Sequence, residues 1–537
     1  RESGGNPLFA LEMARALATG TQDGPQAIED VIEERLARLD PRGRDLVLWA
    51  AALGREFDPE SLAAIAGETP VNTIAAFGDL EHHGLVTSRG TRYAFTHELV
   101  RKTAYRQLSG PRRRLVHLTI ARALAAAPDA GAAWGDVVHH ATLAEDPMLV
   151  ARACVGAGER ALRMFARRPA RDFAARGLAQ TAHLGLEGLA LRVDLLKIAA
   201  LSAAMSPERQ AAFEEDAEDA VRVARDHGRP ELAAKALFAL GFFRSARGDF
   251  AGAHELTLGA ADAARSTSPA ESLPTLANTG FCLAIIEREL PKARAILDEA
   301  AETARVLRLS VMDIELGDGY LAHMAGDLVH ARAALGRGLV LARARVDVWR
   351  ECMALIGLAK VAIESAAWDA AHGHVVELRA VAQKLSGEGT EGAIAAALEA
   401  LALRGSGHPE GPAKVVRAIE ALVAADAQAI LAYVLTAAAE MEIQGGAPAM
   451  ANQLAARALA AAEPLGKPSA LILAHVVLSR CALGRGDAAT GGKHLAEARG
   501  LLEHPYGVSK RARDAATELT AHSNAQANGG VHGPGAS

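Results

Sequence analysis

The sequence predicts a mainly α fold in which a small three-helix unit closed by a β-hairpin leads into a long α-solenoid of helical hairpins. Three observations carry that expectation. Apolar residues recur at intervals of three and four rather than two over most of the 537 residues, which is the helical period. Aromatics make up only 4% of the chain, and Val, Ile, Tyr and Phe are too sparse for an extensive sheet. Turn signals return about every forty residues through the second half, as in a stacked array, whereas a single core stops growing at roughly 250–300 residues.

Composition narrows the function classes. A net charge of −6 is mild over this length and argues against a globally basic nucleic-acid binder. Cys154, Cys282, Cys352 and Cys481 lie far apart with no CxxC spacing, so buried reduced thiols are expected rather than a metal or disulfide framework. No apolar run reaches the roughly 18–20 residues of a membrane span, and the N-terminus lacks the basic-then-apolar signal pattern. A soluble, cytoplasmic protein without a membrane partner is expected. The chain opens at Arg1 without an initiator methionine and runs straight into a helix start, which reads as the C-terminal portion of something longer.

Taken in order, residues 1–40 read as two helices. Pro7 suits the first turn of a helix carrying Leu8, Phe9, Leu11, Met13 and Leu17. A second helix, from about Ala27 to Leu39, sets Ile28, Ile32, Leu36 and Leu39 on one stripe and stops at Asp40-Pro41. Residues 41–110 form the small unit. Helices are expected over Gly43–Leu53, over Pro59–Ala66 capped by Asp58, and over Pro70–His82 led in by Thr69. Gly84–Ser88 and Arg92–Thr96 are strands about an Arg89-Gly90-Thr91 turn, after which the chain breaks into a helix at His97. Three helices followed by a hairpin is the order of a winged helix.

Residues 111–522 read as almost wholly helical. Phe250, Leu290, Leu328, Trp368 and, two steps on, Pro448 and Ala488 each fall at the turn inside a helical pair. The frame is fullest at Leu240-Gly241, Gly248-Asp249-Phe250, Ala253 and Ala260, and returns at Gly319, Gly326-Asp327-Leu328 and Ala331, and at Gly486-Asp487-Ala488, Gly491 and Ala498. Small residues at these places let paired helices approach closely. The pattern resembles tetratricopeptide repeats in their longer-period form, which implies a surface that binds peptides, proteins or ligands. Residues 523–537 are Gly, Asn, Ser and Pro with scarcely an apolar residue and are expected to be disordered.

Three segments point further. Gly5-Asn6-Pro7-Leu8-Phe9, Ile32-Glu33-Glu34-Arg35-Leu36 and Phe95-Thr96-His97-Glu98-Leu99 together resemble the back half of a signal-transduction ATPase with numerous domains (STAND). That AAA-related switch class includes bacterial LuxR-type and antibiotic-regulatory-type transcriptional regulators. The resemblance implies that Gly5 and Pro7 belong to a motif whose proline packs on adenine, and that His97 reaches the β-phosphate of ADP in the closed state. Thr96 and Glu98 stand where that motif has Met and Asp. An imidazole beside a helix N-terminus suits an anion, while a structural role for His97 remains the alternative.

No phosphate loop of the Gly-x-x-x-x-Gly-Lys-Ser/Thr type occurs, so no complete ATP site and no enzyme activity is expected in this chain. Gly486 to His494 has the wrong spacing and falls in a repeat turn. Arg112-Arg113-Arg114, with Arg101, Lys102 and Arg106, is read as a solvated face or a packing surface rather than a DNA contact. His82-His83, His139-His140 and His372-Gly373-His374 lack zinc-site companions and are expected at the surface or in repeat packing. Glu214-Glu215 is read as a charged helix face. The expected function is the sensor portion of an ATP-dependent transcriptional regulator. Its repeats would take a protein or small-molecule inducer, it would self-associate with nucleotide, and it would reach DNA only through a domain outside this chain. The alternatives are the regulatory half of an ATPase-linked nucleotide cyclase or kinase, and a plain interaction scaffold.

Overall fold

A computed structural model describes residues 24–127, 130–164, 166–202, 207–247, 249–384, 390–425 and 427–529. The helix expected around Pro7 lies outside these residues. The chain divides into two compact units, one of residues 1–160 with 172–195 and one of residues 161–171 with 196–537. The helices between Gly110 and residue 160 therefore belong with the small unit, although their periodicity matches the array.

In the first unit, α1 (Gly24–Ala37) is followed by α2 (Pro41–Leu53), β1 (Glu56–Phe57), α3 (Pro59–Ala66), α4 (Pro70–His82), β2 (Val86–Arg89), β3 (Arg92–Phe95) and α5 (Glu98–Arg106). Each helix of the expected trio starts at a proline behind a capping side chain: Asp40 accepts from the Gly43 amide, Asp58 from Ser61 and Thr69 from Asn72. The sheet is antiparallel in the order β1-β3-β2, with Phe57 opposite Tyr93 and Val86 opposite Phe95. The two-residue β1 is an addition to the expected hairpin. It brings Phe57 within 5.7 Å of Phe77 and 5.8 Å of Phe95, ring centre to ring centre, while Phe77 stacks on Tyr93 at 4.4 Å. Burying each of these phenyl rings is worth about 1.5–3 kcal/mol, so this aromatic layer holds the unit together. Ile32, Leu36 and Leu39 are buried against it as one stripe, while the Ile28 side chain lies outside the described residues.

The unit continues with α6 (Gly110–Ala126), α7 (Ala130–Leu143) and α8 (Pro147–Arg163), and the boundary falls among α8, α9 (Arg167–Thr181) and α10 (Gly185–Leu201). One histidine expected at the surface or in repeat packing is here a buried network member. His140 is 4% exposed, its Nδ1 lies 2.8 Å from His117 Nδ1, and His117 Nε2 lies 2.7 Å from the Tyr105 hydroxyl. Burial, with neighbouring imidazoles, drives His117 down to about 4 and His140 down to about 3.

The second unit is a series of antiparallel helix pairs led by α11 (Pro207–Asp226). The pairs are α12 (Pro230–Ala246) with α13 (Phe250–Ala264), α14 (Pro269–Ile286) with α15 (Leu290–Leu307), α16 (Met312–Met324) with α17 (Leu328–Ala344), and α18 (Val348–Glu364) with α19 (Trp368–Lys384). They continue as α20 (Glu391–Gly405) with α21 (Gly411–Ala424), α22 (Gln428–Gln444) with α23 (Pro448–Ala462), and α24 (Pro468–Gly484) with α25 (Ala488–Gly500), closed by α26 (Lys510–Gly529). Second helices thus begin at Phe250, Leu290, Leu328, Trp368, Gly411, Pro448 and Ala488, which fills the step left open between Trp368 and Pro448.

The turns follow from local chemistry. Asp249, Asp327 and Asp487 accept from the amides of Gly252, His330 and Thr490, capping the second helices. Gly326 and Gly486 precede two of these caps at φ +78° and +79°, a conformation that glycine enters without a Cβ penalty. Close approach is real at Gly319, where a Cβ would stand 3.0 Å from the Leu335 backbone nitrogen.

Two further expectations change. The last helix runs to Gly529, into the segment read as a disordered tail, and residues 530–537 lie outside the described residues. Glu214 is 6% exposed and pairs with Arg244 and Arg247 at 3.3 Å each, so it is not on an open charged face. All four cysteines are free thiols, and burial pushes Cys154 up to about 11 and Cys282 and Cys352 up to about 12. Among the described residues, no helix is long and apolar enough to cross a membrane.

Candidate functional site

The second unit encloses a polar cavity of about 50 Å³ whose walls come from helices far apart in sequence. Its first helices supply most of the lining. Glu287 sits in the left-handed cap of α14 at φ +58°, and His323 lies at the end of α16. Lys360 and Glu364, one turn apart, share a face of α18, as Tyr433 and Thr436 do on α22. Ser469 starts α24, and Arg511 starts α26.

What closes the cavity is the return of the chain's end onto earlier pairs. The Leu290 amide donates to the Tyr506 carbonyl at 2.8 Å, and the Arg288 guanidinium donates to the Leu465 carbonyl at 2.8 Å. Arg511 reaches Glu364 at 3.1 Å and also pairs with Glu440. Lys467 approaches Glu287 at 3.8 Å, and the Ser509 amide donates to Ser469 Oγ at 2.9 Å.

Inside, charges are arranged unevenly. Burial alone would raise the Glu364 carboxyl, but His323 at 2.9 Å, Arg511 and Lys360 outweigh it and bring Glu364 down to about 2. Burial likewise acts to raise Glu287, and Lys467 and Lys360 hold it below the usual carboxylate range. Lys360 is 7% exposed, and burial pulls its ammonium below the usual lysine value although Glu287 and Glu364 resist this. Among the described residues Lys360 makes no ion pair or hydrogen bond; its Nζ stands 4.6 Å from the centre of the Tyr433 ring. The Tyr433 hydroxyl is buried beside Glu364 without a hydrogen bond of good geometry, and burial with Glu364 raises it well above the usual phenol value. Buried polar groups are nearly always satisfied, so the Tyr433 hydroxyl marks this wall.

The residues singled out from sequence sit elsewhere. His97 is the N-cap of α5, directly behind β3, and its Nδ1 accepts from the Leu99 amide at 3.1 Å. That bond places the neutral ring's proton on Nε2. Gly5 and Pro7 lie outside the described residues. The basic stretch is engaged internally: Arg112 pairs with Asp45 at 2.8 Å, Arg113 covers the Tyr105 ring at 4.6 Å, and Arg114 donates to the Ala144 carbonyl at 2.8 Å. Arg101 bonds Glu98 at 2.6 Å and the Ala51 carbonyl at 3.0 Å, and Arg106 bonds Glu29 at 2.7 Å.

Sequence reasoning missed the cavity entirely. A signal was present, since Lys360 is a lone charge in the apolar run Met353–Ile363, and such a residue on a buried helix needs a partner or a purpose. Glu364 one turn later completed the hint.

No family model matches the chain, and no curated protein matches it. Three solved structures are similar at low identity. A STAND protein with a tetratricopeptide-repeat sensor from Pyrococcus horikoshii is 14% identical over 88% of this chain, with a TM-score of 0.38. Yeast Tom70 is 12% identical over 77% of this chain and 93% of its own, with a TM-score of 0.33. The Cut9–Hcn1 hetero-tetramer of the APC/C is 13% identical over 86% of this chain and 91% of its own, with a TM-score of 0.28. The chain spans 65% of the length of the Pyrococcus STAND protein.

Proposed function

We propose that this chain is the sensor and regulatory portion of an ATP-dependent signalling protein of the STAND class. The output is transcription control through a DNA-binding domain outside the chain, and the helix array receives a protein or small-molecule inducer. The observation that carries the sensor reading is the polar cavity closed by Arg511, Glu364 and Lys467 from separate parts of the array. A ligand that prefers the closed arrangement would shift the balance between two states by its differential affinity. The switch part of the reading rests on His97, which stands at the junction of β3 and α5 and caps α5 through Nδ1. In this reading His97, with Gly5 and Pro7, contacts ADP and holds the resting state, and ATP permits self-association.

The test uses the protein with its upstream nucleotide-binding segment. ADP and ATP affinity and oligomer size are measured for His97→Ala and His97→Asn. Asparagine keeps a capping acceptor for Leu99 and removes the imidazole donor. Loss of ADP affinity by about tenfold in both variants, the size of one lost charge-assisted hydrogen bond, together with readier assembly, supports the latch. Unchanged nucleotide binding in both, with lower stability in His97→Ala alone, makes His97 a cap and removes the switch.

A second reading, a protein-docking scaffold without a switch, is favoured by the exposed Val329 and Val340 on α17 and Val376 on α19. Apolar side chains on successive second helices suit a partner surface.

A further inference from the structure

We infer that the cavity bounded by Lys360 and Tyr433 is a binding site for a small monoanion, such as a short carboxylate or bicarbonate. The inference rests on the reading of the array as the sensing part and assigns the class of ligand it takes.

Hydrogen-bond donors outnumber free acceptors around this space. Lys360 offers three N–H donors, is 7% exposed, and among the described residues has no acceptor within bonding distance. The Tyr433 hydroxyl beside it is buried and makes no hydrogen bond of good geometry, with Glu364 as its neighbouring carboxylate. Ser469 Oγ accepts from the Ser509 amide at 2.9 Å and Ser509 Oγ accepts from the Ala512 amide at 3.2 Å, so both hydroxyl protons are left to donate. Of the carboxylates that line the same space, Glu364 is bonded by His323 and Arg511, while Glu287 has only the Lys467 ammonium at 3.8 Å, an ion pair and not a hydrogen bond. A cavity with surplus donors is complementary to an acceptor-rich guest. Lys360 is the one lining cation without a carboxylate at ion-pair distance, which suits a guest that brings a single negative charge. A volume of about 50 Å³ exceeds the roughly 10–15 Å³ that one water needs, so the cavity has room for a small guest.

The experiment is calorimetric titration of the chain with acetate, bicarbonate, nitrate and sulfate, at fixed chloride and pH 7.5, repeated on Lys360→Met and Tyr433→Phe. Saturable binding of at least one monoanion is expected. It should be lost in Lys360→Met and weakened about tenfold in Tyr433→Phe, the size of one hydrogen bond to a charged group. Sulfate should bind less well than that monoanion. Monoanion binding of equal strength in Lys360→Met and wild type, binding of sulfate alone, or no saturable binding by any monoanion would each overturn the assignment. Tyr433→Phe removes one oxygen and keeps the ring, so it preserves the test should Lys360→Met fail to fold. The outcome separates from the switch reading. If the monoanions fail while His97 variants still alter ADP affinity, only the anion site falls. Lys360-dependent anion binding with indifferent His97 variants would leave the site standing and remove the switch.

Discussion

Arg511 at the start of α26 meets Glu364 at the end of α18 at 3.1 Å across 147 residues of sequence, and the same guanidinium pairs with Glu440 on α22. One side chain thus ties three helices of the array together and seals one side of the polar cavity. Replacing it with methionine keeps much of the volume and strands two half-buried carboxylates. Breaking a buried pair by removing one partner costs about 3–5 kcal/mol, and partial exposure of Arg511 places this site at the low end of that range. Arg511→Met is expected to unfold at lower denaturant. Amide exchange should rise first over Lys510–Leu519 and α22, and exchange unchanged in both segments would show that Arg511 does not close the array.

The buried histidine pair predicts an acid limit for the first unit. His117 and His140 are held near 4 and 3, against an unfolded value of about 6.5. A depressed histidine favours the neutral folded form, so its contribution is intact above pH 6.5 and is lost as pH falls toward 4. Within that window each imidazole that takes up a proton only on unfolding adds a slope of about 1.4 kcal/mol per pH unit. Equilibrium unfolding followed between pH 7.5 and 4.5 should show this slope in wild type and a shallower one in His117→Phe/His140→Leu. Equal slopes would mean that the pair titrates normally.

Close helix approach makes a third prediction. A Cβ at Gly319 would lie 2.7 Å from Leu335 Cγ and 3.0 Å from the Leu335 backbone nitrogen. Leucine can shift its side chain, but the backbone of α17 cannot give without opening the hairpin. Gly319→Ala is expected to cost about 1–3 kcal/mol despite alanine's better helix propensity. Gly336→Ala, on the same hairpin with open space around it, should be neutral or stabilising. Thermal unfolding of the two variants decides between crowding and propensity, and similar shifts in both would sink the crowding argument.

These contrasts explain how far the sequence could be read. The hairpins were legible because Gly326-Asp327 and Gly486-Asp487 encode a left-handed turn and a cap within three residues. The turn before Gly411 was not, because Ser406-Gly407-His408-Pro409-Glu410 places its left-handed glycine at 407 and has no aspartate cap. The small unit was legible through its Pro-led, side-chain-capped helices, whereas β1 is only Glu56–Phe57 and shows no alternation to detect. The cavity was illegible for a different reason. Glu287, Lys360, Tyr433 and Arg511 belong to four helices, and nothing within any one of them says which will share a wall. The partner of His140 was illegible likewise, since His117 lies on another helix.

The last prediction sets the sign of two neighbouring substitutions against each other. Lys360 and Glu364 are one turn apart on α18 and bear opposite charges, yet their environments treat them differently. Glu364 is held down to about 2 by His323, Arg511 and Lys360 despite its burial, so its charge stabilises the fold above the unfolded carboxylate value, and that contribution fades as pH falls toward 2. Lys360 is pulled below the usual lysine value by burial, so its charge opposes folding at neutral pH, and stability should rise as pH climbs through its folded value toward 10.5. Glu364→Gln is therefore expected to destabilise the array. Lys360→Met, measured in buffer without carboxylates or bicarbonate, is expected to be neutral or stabilising, because burial disfavours the ammonium by more than Glu287 and Glu364 recover. Equilibrium unfolding at pH 7.5 and at the unfolded lysine value of 10.5 checks both, with wild type gaining more than Lys360→Met over that interval. A residue whose removal strengthens the fold is retained for something other than the fold, and a destabilised Lys360→Met would instead make its ammonium a structural counter-ion for Glu287 and Glu364.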